Sequence, residues 1–131
     1  RSYLVDGNGF ALRELAVNAP VTGPLITNIP NLQTPVIGDR LESAELHEAL
    51  LLWNAYSKAP ISNEVTLSEI SAESPVNLAM FWDEAPYEVR WGRSDYQTQA
   101  IRLSALWRKM DGQLPCQDYL DLRFDEDLVC R

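Results

Sequence analysis

Few side chains in this sequence have the type and spacing that catalysis requires. The only histidine, His47, lies beside Glu48 in a stretch with helical periodicity, and a Ser-His-acid triad would have to be built around it on a helix whose neighbouring residues are predicted core. Cys116 follows Pro115 in a predicted loop, Cys130 lies in a predicted strand, and neither thiol has an evident activating base. The 19 acidic residues could form many carboxylate pairs, but an acidic surface accounts for most of them. We therefore expect a protein that is not an enzyme.

No metal or cofactor site is predicted. Zinc sites need closely spaced cysteines or histidines, whereas His47 is far from both cysteines in the sequence. Asp6 and Asn8 resemble the start of a calcium-binding loop, but the twelfth position of such a loop is Val17, which has no oxygen ligand to offer. Nucleotide-binding glycine loops are also missing from the sequence. We expect residues 6–9 to form a plain hairpin turn.

The two cysteines are predicted to be unpaired thiols; the alternative is a disulfide, which would suit an oxidising compartment. If residues 125–127 form the turn of a hairpin, Leu122 lies opposite Cys130, and Cys116 is about six residues further along that strand. At a rise of ~3.3 Å per residue, the two cysteines would be about 20 Å apart, which is far beyond disulfide reach.

Length and charge restrict the protein class. The 131 residues are long enough for one domain with its own core, which we expect to span residues 1–131. The net charge of −8 and the scattered basic residues argue against nucleic acid and anionic membrane surfaces as partners. No apolar run approaches the roughly 20 residues of a membrane helix, and the chain opens with Arg1-Ser2 rather than a leader. We expect the chain to be a processed or engineered piece of a longer protein.

The first half of the chain predicts a hairpin, an irregular segment and a helix. Residues 3–5 and 10–12 are strand-like and flank the turn. Residues 13–40 are rich in proline and glycine, which favours irregular chain with brief strands. A helix should begin near residues 41–43 and end before residue 60, with His47 solvated or capping. Its apolar face consists of Leu46, Ala49, Leu50, Trp53 and Tyr56.

The second half predicts an antiparallel meander followed by a helix and a last strand. Residues 65–70, 76–82 and 87–91 show the alternation of strands in a sheet with one wet face. Ser94 is the predicted N-cap of the next helix, with Gln97 completing a capping box and Asp95 in the first turn. The buried stripe of that helix consists of Ala100, Leu103, Leu106, Trp107 and Met110. The fold class is therefore α+β, a mainly antiparallel sheet with two α-helices, and no internal repeat is visible in the sequence.

Four segments together resemble the extracytoplasmic β domain of the FtsQ/DivIB family of bacterial division proteins. Residues 3–10, YLVDGNGF, resemble its "lvDe-G-vf" opening, and residues 25–38 resemble its "LP-l-G" stretch. Residues 92–95, GRSD, match its "LGR-D" strand-to-helix junction, and residues 119–124, YLDLRF, match its "YVDLRY" strand. Each motif alone is common, but the four in this order are fairly specific. Trp91 stands where the family usually has leucine, a tolerable change if the position faces the core.

The resemblance implies a cell-division scaffold without catalytic activity. Family members have a short cytoplasmic tail, one membrane helix, a POTRA domain and then this domain, on the extracytoplasmic (periplasmic) face of the membrane at the division septum. Their terminal strands bind a segment of an FtsB/DivIC partner, which stands in complex with FtsL. No small-molecule substrate is implied.

The last strand is the candidate docking site. An edge strand offers unpaired N–H and C=O groups to which a partner strand can add. The simpler alternative is that Leu120, Leu122 and Phe124 lie in the core while the residues between them are merely solvated. A second alternative for the whole chain is a stand-alone extracytoplasmic binding or structural module that shares only the architecture. The predicted partner-binding residues are Tyr119, Asp121, Arg123, Phe124, Asp125, Glu126 and Leu128.

Overall fold

The computed structural model describes residues 1–21, 23–93, 95–124 and 129–131. Within them, a six-stranded mixed sheet packs against two α-helices, and a two-stranded hairpin stands apart from that sheet. The α+β class predicted from the sequence is confirmed. The elements are β1 (Ser2–Val5), β2 (Ala11–Leu15), β3 (Leu25–Thr27), α1 (Ala44–Ser57), a 3-10 turn (Pro60–Asn63), β4 (Leu67–Ser74), β5 (Asn77–Trp82), β6 (Glu88–Gly92), α2 (Tyr96–Lys109), β7 (Tyr119–Asp121) and β8 (Val129–Cys130).

The six-stranded sheet is built from the same arrangement used twice. Its strand order is β3-β4-β5-β6-β7-β8. β3 pairs in parallel with β4 across the α1 crossover, and β4 then pairs antiparallel with β5. In the same way, β6 pairs in parallel with β7 across α2, and β7 pairs antiparallel with β8. The antiparallel pairing of β5 with β6 joins the two β-α-β-β units and completes the predicted meander.

The β1–β2 hairpin forms around the predicted turn. The Asp6 carboxylate accepts hydrogen bonds from the backbone N–H groups of Asn8, at 2.9 Å, and Phe10, at 3.0 Å. Gly9 has a φ of 88°, a conformation that a residue with a side chain rarely adopts. The Asp6 carboxylate therefore stabilises the turn itself.

Helix α1 buries the face predicted for it, with two differences. Ser43 caps the helix by accepting a hydrogen bond from the Leu46 N–H at 3.1 Å. Tyr56 is buried and donates to the Val65 carbonyl at 3.0 Å, and burial together with the charge of Glu84 raises the pKa of its hydroxyl. The differences are that Leu52 is also fully buried, and that two predicted core residues are only partly covered because they line a groove beside the hairpin. Those two residues are Leu50 and Trp53.

Helix α2 begins one residue later than its predicted capping box requires. The N-cap is Asp95, whose carboxylate accepts from the Thr98 N–H at 3.2 Å and from the Thr98 hydroxyl at 2.7 Å. These hydrogen bonds hold the pKa of Asp95 below its ordinary value. The predicted N-cap position was therefore wrong by one residue, because the Asp95 carboxylate satisfies the first-turn donors and complements the helix dipole. Ser94 and the capping box predicted for it lie outside the described residues.

The predicted stripe of α2 is covered unevenly along the helix. Ala100 and Leu103 are fully buried, Leu106 and Trp107 are partly buried, and Met110 follows the end of the helix with 37% of its surface exposed. The second half of the stripe also reaches the sheet, because the Trp107 ring packs edge-on against Trp82 of β5 with 5.6 Å between ring centres.

Cys116 and Cys130 form a disulfide with their Cα atoms 5.0 Å apart, so the prediction of two free thiols was wrong. One reason is register, because Leu120 rather than Leu122 lies opposite Cys130. The other reason is that residues 116–118 are not extended. The N–H groups of residues 117, 118 and 119 all donate to the Arg131 carbonyl, so the chain curls around the end of β8 and brings the two cysteines together.

Removing the disulfide should destabilise the fold without abolishing it. Cross-linking a loop of about 15 residues stabilises a protein by about 3 kcal/mol in the chain-entropy account. Urea unfolding of the oxidised chain and of a Cys116→Ser/Cys130→Ser variant should therefore differ by about that free energy. Equal midpoints and equal slopes for the two proteins would show that the disulfide contributes nothing to folding.

Candidate partner-docking edge

The open edge of the sheet lies one strand further along the chain than predicted. Residues 119–124 were expected to form the edge strand, but β7 pairs with β6 on one side and with β8 on the other. Among the described residues, the two edges of the six-stranded sheet are β3 and β8. The C-terminal edge of the described sheet is therefore β8, and β7, the first half of the YLDLRF segment, lies inside the sheet beside it.

β7 ends at Asp121 because the Asp121 carboxylate turns the chain. It accepts a hydrogen bond from the Arg123 N–H at 3.0 Å and pairs with the Arg123 guanidinium at 2.6 Å. Asp121 is only 2% exposed, so this predicted partner contact is occupied within the chain. Burial alone would raise the pKa of Asp121, but the hydrogen bonds and charge of Arg123, with the charge of Arg90, hold that pKa below its ordinary value. The same contacts raise the pKa of Arg123.

Tyr119 packs beneath an arginine of the neighbouring strand. The Arg90 guanidinium carbon lies 3.8 Å from the centre of the Tyr119 ring, and Arg90 also pairs with Glu88 at 2.7 Å. Both contacts lie on the sheet face opposite the helices. Tyr119 therefore belongs to a band of paired side chains on this open face and is only partly accessible.

The alternation predicted for the last strand holds for part of its length. Leu120 and Leu122 are buried in the core, whereas Phe124 is 52% exposed because β7 has already ended. Arg102 of α2 donates to the Phe124 carbonyl through both terminal nitrogens at 3.3 Å. The chain leaving β7 is thereby anchored to α2, with the Phe124 ring facing solvent. The remaining predicted contacts, Asp125, Glu126 and Leu128, lie outside the described residues.

Gly92 of the Gly-Arg-x-Asp motif leaves room for the chain that follows β7. A Cβ atom on Gly92 would lie 3.3 Å from the Arg123 Cα, closer than most packed Cβ contacts. The Gln99 side chain from α2 accepts from the Gly92 N–H at 3.2 Å and donates to the Gly92 carbonyl at 2.9 Å. The motif therefore brings the end of β6, the start of α2 and the chain after β7 to one point.

A buried carboxylate connects the two helices, and sequence reasoning missed it. Glu48 is 7% exposed, accepts a hydrogen bond from the Tyr96 hydroxyl at 2.9 Å, and lies 3.4 Å from the Arg93 Nε. Burial and the Glu48 contact raise the pKa of Tyr96. The one signal in the sequence was an acidic residue one position before Ala49 of the apolar face. The arginine of the motif thus anchors α1 to the start of α2.

The groove between the hairpin and α1 does not assemble a catalytic set around His47. It has a volume of about 550 Å³ and includes Arg40, His47 and Trp53. No carboxylate lines this groove to orient His47, and His47 is exposed as predicted. Across the residues that the structure describes, no three histidines, cysteines or acids are grouped to hold a metal ion.

Comparison with known proteins identifies the family. Residues 1–123 match the family described as "Cell division protein FtsQ/DivIB, C-terminal". The chain belongs to the FtsQ/DivIB family. The resemblance drawn from the four motifs is thereby confirmed, and Trp91, at the family's leucine position, is fully buried as expected of a core residue.

One curated relative is Cell division protein FtsQ of Geotalea daltonii (strain DSM 22248 / JCM 15807 / FRC-32). It is 22% identical over 130 residues, which cover 98% of this chain and 46% of the relative. The chain therefore spans about half the length of this relative. No solved structure gives a significant match. In the described part of the FtsQ/DivIB chain, neither helix has the length and apolarity to cross a bilayer.

Replacing Gly92 with alanine should strain the junction between β6 and β7. The added Cβ would press on the Arg123 backbone, and such overpacking costs about 1–2 kcal/mol of unfolding free energy. Gly7→Ala is the matched control, because no atom lies within 4 Å of its Cβ position. Thermal unfolding of the two variants should show a lower Tm for Gly92→Ala alone, and equal Tm values would contradict this account of the motif.

The Asp121–Arg123 pair should make the free energy of unfolding depend on pH in the acidic range. Because the folded pKa of Asp121 lies below its unfolded value of about 3.9, its contribution is present above that pH and is lost as pH falls through the folded pKa. Asp121→Asn should cost about 1 kcal/mol at neutral pH, a modest figure because solvent partly screens the exposed Arg123. In urea unfolding, the difference from wild type should shrink as pH falls below the unfolded pKa of about 3.9, whereas Asp118→Asn, at an exposed position, should unfold like wild type at neutral pH.

Proposed function

We propose that this chain is a non-catalytic scaffold of the bacterial division machinery that recruits an FtsB/DivIC-like partner, together with an FtsL-like protein. Membership of the FtsQ/DivIB family supports a role in cell division. Recruitment would occur by addition of a partner strand to β8. The open C-terminal edge of the sheet is the observation that carries this proposal, because an edge strand can pair with an added strand.

The surroundings of β8 favour a partner segment that is partly apolar. Phe124 presents an exposed aromatic ring on the chain that leaves β7, the strand with which β8 pairs, and a large ring that becomes buried on binding is a common anchor of an interface. Arg123 is partly exposed beside it and can donate to a polar group at the margin. Asp125, Glu126 and Leu128 remain proposed contacts on the grounds of the sequence alone.

The disulfide supports an extracytoplasmic location. Disulfides persist in oxidising compartments and are rare in the cytosol. We place this chain on the extracytoplasmic face of the membrane at the division septum, in a native protein anchored by an upstream membrane helix and carrying a POTRA domain. The family match rests on the sequence itself, which favours this scaffold over a stand-alone module that shares only the architecture.

Truncating the aromatic anchor should weaken capture of the partner. In Phe124→Ala the backbone carbonyl that Arg102 binds is retained, so the fold should survive while the exposed ring is lost. The probe is the purified extracytoplasmic segment of the FtsB/DivIC-like protein from the same genome, immobilised for biolayer interferometry. We expect Kd to rise about 30-fold, the size of a hot-spot contact.

Two further variants complete this test. Ile37→Ala removes another exposed apolar side chain, in the connection before α1, and should bind like wild type. Arg123→Gln is preferable to Arg123→Glu, because a carboxylate at this position would face buried Asp121 and destabilise the turn. Equal affinity of Phe124→Ala, Arg123→Gln and wild type would count against docking at this edge, as would a wild-type chain that binds no such segment.

A further inference from the structure

We propose that the Cys116–Cys130 disulfide holds Cys130 in the position in which its backbone groups can pair with the partner strand. Docking then requires the oxidised chain. This inference rests on the proposed function. It adds a condition on that function, because the edge would bind well only while the two sulfurs are joined. Cys130 also lies beyond residues 1–123, so the family match is independent of it.

The hydrogen-bond pattern of the last strand pair shows which groups face outward. Tyr119 and Arg131 exchange two bonds, at 2.8 and 2.9 Å, and are therefore a hydrogen-bonded pair of the antiparallel ladder. In such a ladder, hydrogen-bonded pairs alternate with non-bonded pairs, so Leu120 and Cys130 form a non-bonded pair. The N–H and C=O of Cys130 consequently point away from β7, toward the open edge. An added strand would form its ladder bonds with Cys130.

The ladder alone holds this residue weakly. β8 has two residues and pairs only with β7 among the described strands. The other described restraints are the disulfide to Cys116, the N–H groups of Gln117 and Asp118 that also donate to the Arg131 carbonyl, and the partial burial of Cys130 against the core. The same disulfide therefore holds in place both the strand that docks and the loop that encloses its end. If the strand is already held in its bound position, binding does not have to offset the conformational entropy that is lost when the strand becomes ordered.

Reduction would release this restraint by ordinary thiol–disulfide exchange. A dithiol reductant, such as dithiothreitol or a thioredoxin-like protein, attacks one sulfur through its thiolate and forms a mixed disulfide. Its second thiol then displaces the protein sulfur. Two electrons and two protons pass to the chain, leaving two protein thiols and one oxidised dithiol. Reoxidation restores the bond, so the change is reversible.

The test measures the affinity for the partner segment with the Cys116–Cys130 disulfide intact, reduced and re-formed. The immobilised FtsB/DivIC-like segment is titrated with the oxidised chain, the dithiothreitol-reduced chain, the reoxidised chain and Cys116→Ser/Cys130→Ser, below the Tm of each. We expect reduction or the double substitution to raise Kd about tenfold or more and reoxidation to restore it. Leu52→Ala is the control, because it removes a buried side chain of α1 and lowers Tm without touching the edge.

A second readout does not depend on the partner. Hydrogen exchange at the Arg131 amide, which donates to Tyr119 in β7, should be slow in the oxidised chain and fast in the reduced chain. Exchange that stays slow after reduction would overturn the inference even if a variant fails to fold.

The outcomes separate the inference from the proposed function. Failure of the oxidised wild type to bind would overturn both. Binding by the oxidised chain with equal affinity after reduction would overturn the inference and leave the proposed function standing. An equal loss of affinity in Leu52→Ala would also overturn the inference, because general destabilisation would then explain the effect.

Discussion

The close approach of Gly92 to the Arg123 backbone is the constraint on which the C-terminal half of this protein depends. With no side chain at Gly92, the chain leaving β7 can pass beside the end of β6, and Gln99 binds both backbone groups of the glycine. This contact places α2, which begins four residues later at Tyr96 under the Asp95 cap. It also places β7, and with it the strand that forms the open edge. The family's Gly-Arg-x-Asp motif is therefore structural in this chain, since its arginine anchors α1 through Glu48.

The repeated β-α-β-β arrangement explains why β8 lies at an edge of the described sheet. In the first unit β5 is the last strand, and it pairs with β6 of the second unit. β8 occupies the equivalent position in the second unit, and no later strand follows it in the described chain. The side chains of the neighbouring open face are already paired with one another, as in the contacts of Arg90 with Tyr119 and of Asp121 with Arg123. The proposed partner would thus add to backbone groups at an edge whose neighbouring side chains are largely satisfied.

Sequence reasoning succeeded where the signal was local. The Asp6 turn, the apolar face of α1 and the β4–β6 meander depend on residues that are close together in the chain. The turn and the meander were confirmed, and the helix face was confirmed in part, since Leu52 was missed. Sequence reasoning failed where two neighbouring residues could serve the same purpose, or where the conformation of a segment depended on residues far away in the sequence. Ser94 and Asp95 both resemble N-caps, and the structure uses the aspartate. The disulfide was missed because the path of residues 116–118 is set by the Arg131 carbonyl at the far end of the segment.

The sequence by itself determined the family, the fold class and the position of most elements, because periodicity, turn residues and motif order are properties of short stretches of chain. Only the tertiary structure decided which strand forms the edge, which carboxylates are buried and whether the two cysteines form a disulfide. Asp121 alternates like a solvated residue, yet it is buried because Arg123 folds back onto it. Cys130 pairs with Cys116 because strand register and a curled loop set their separation. Distances of this kind depend on how separate segments pack, and packing is a property of the whole chain.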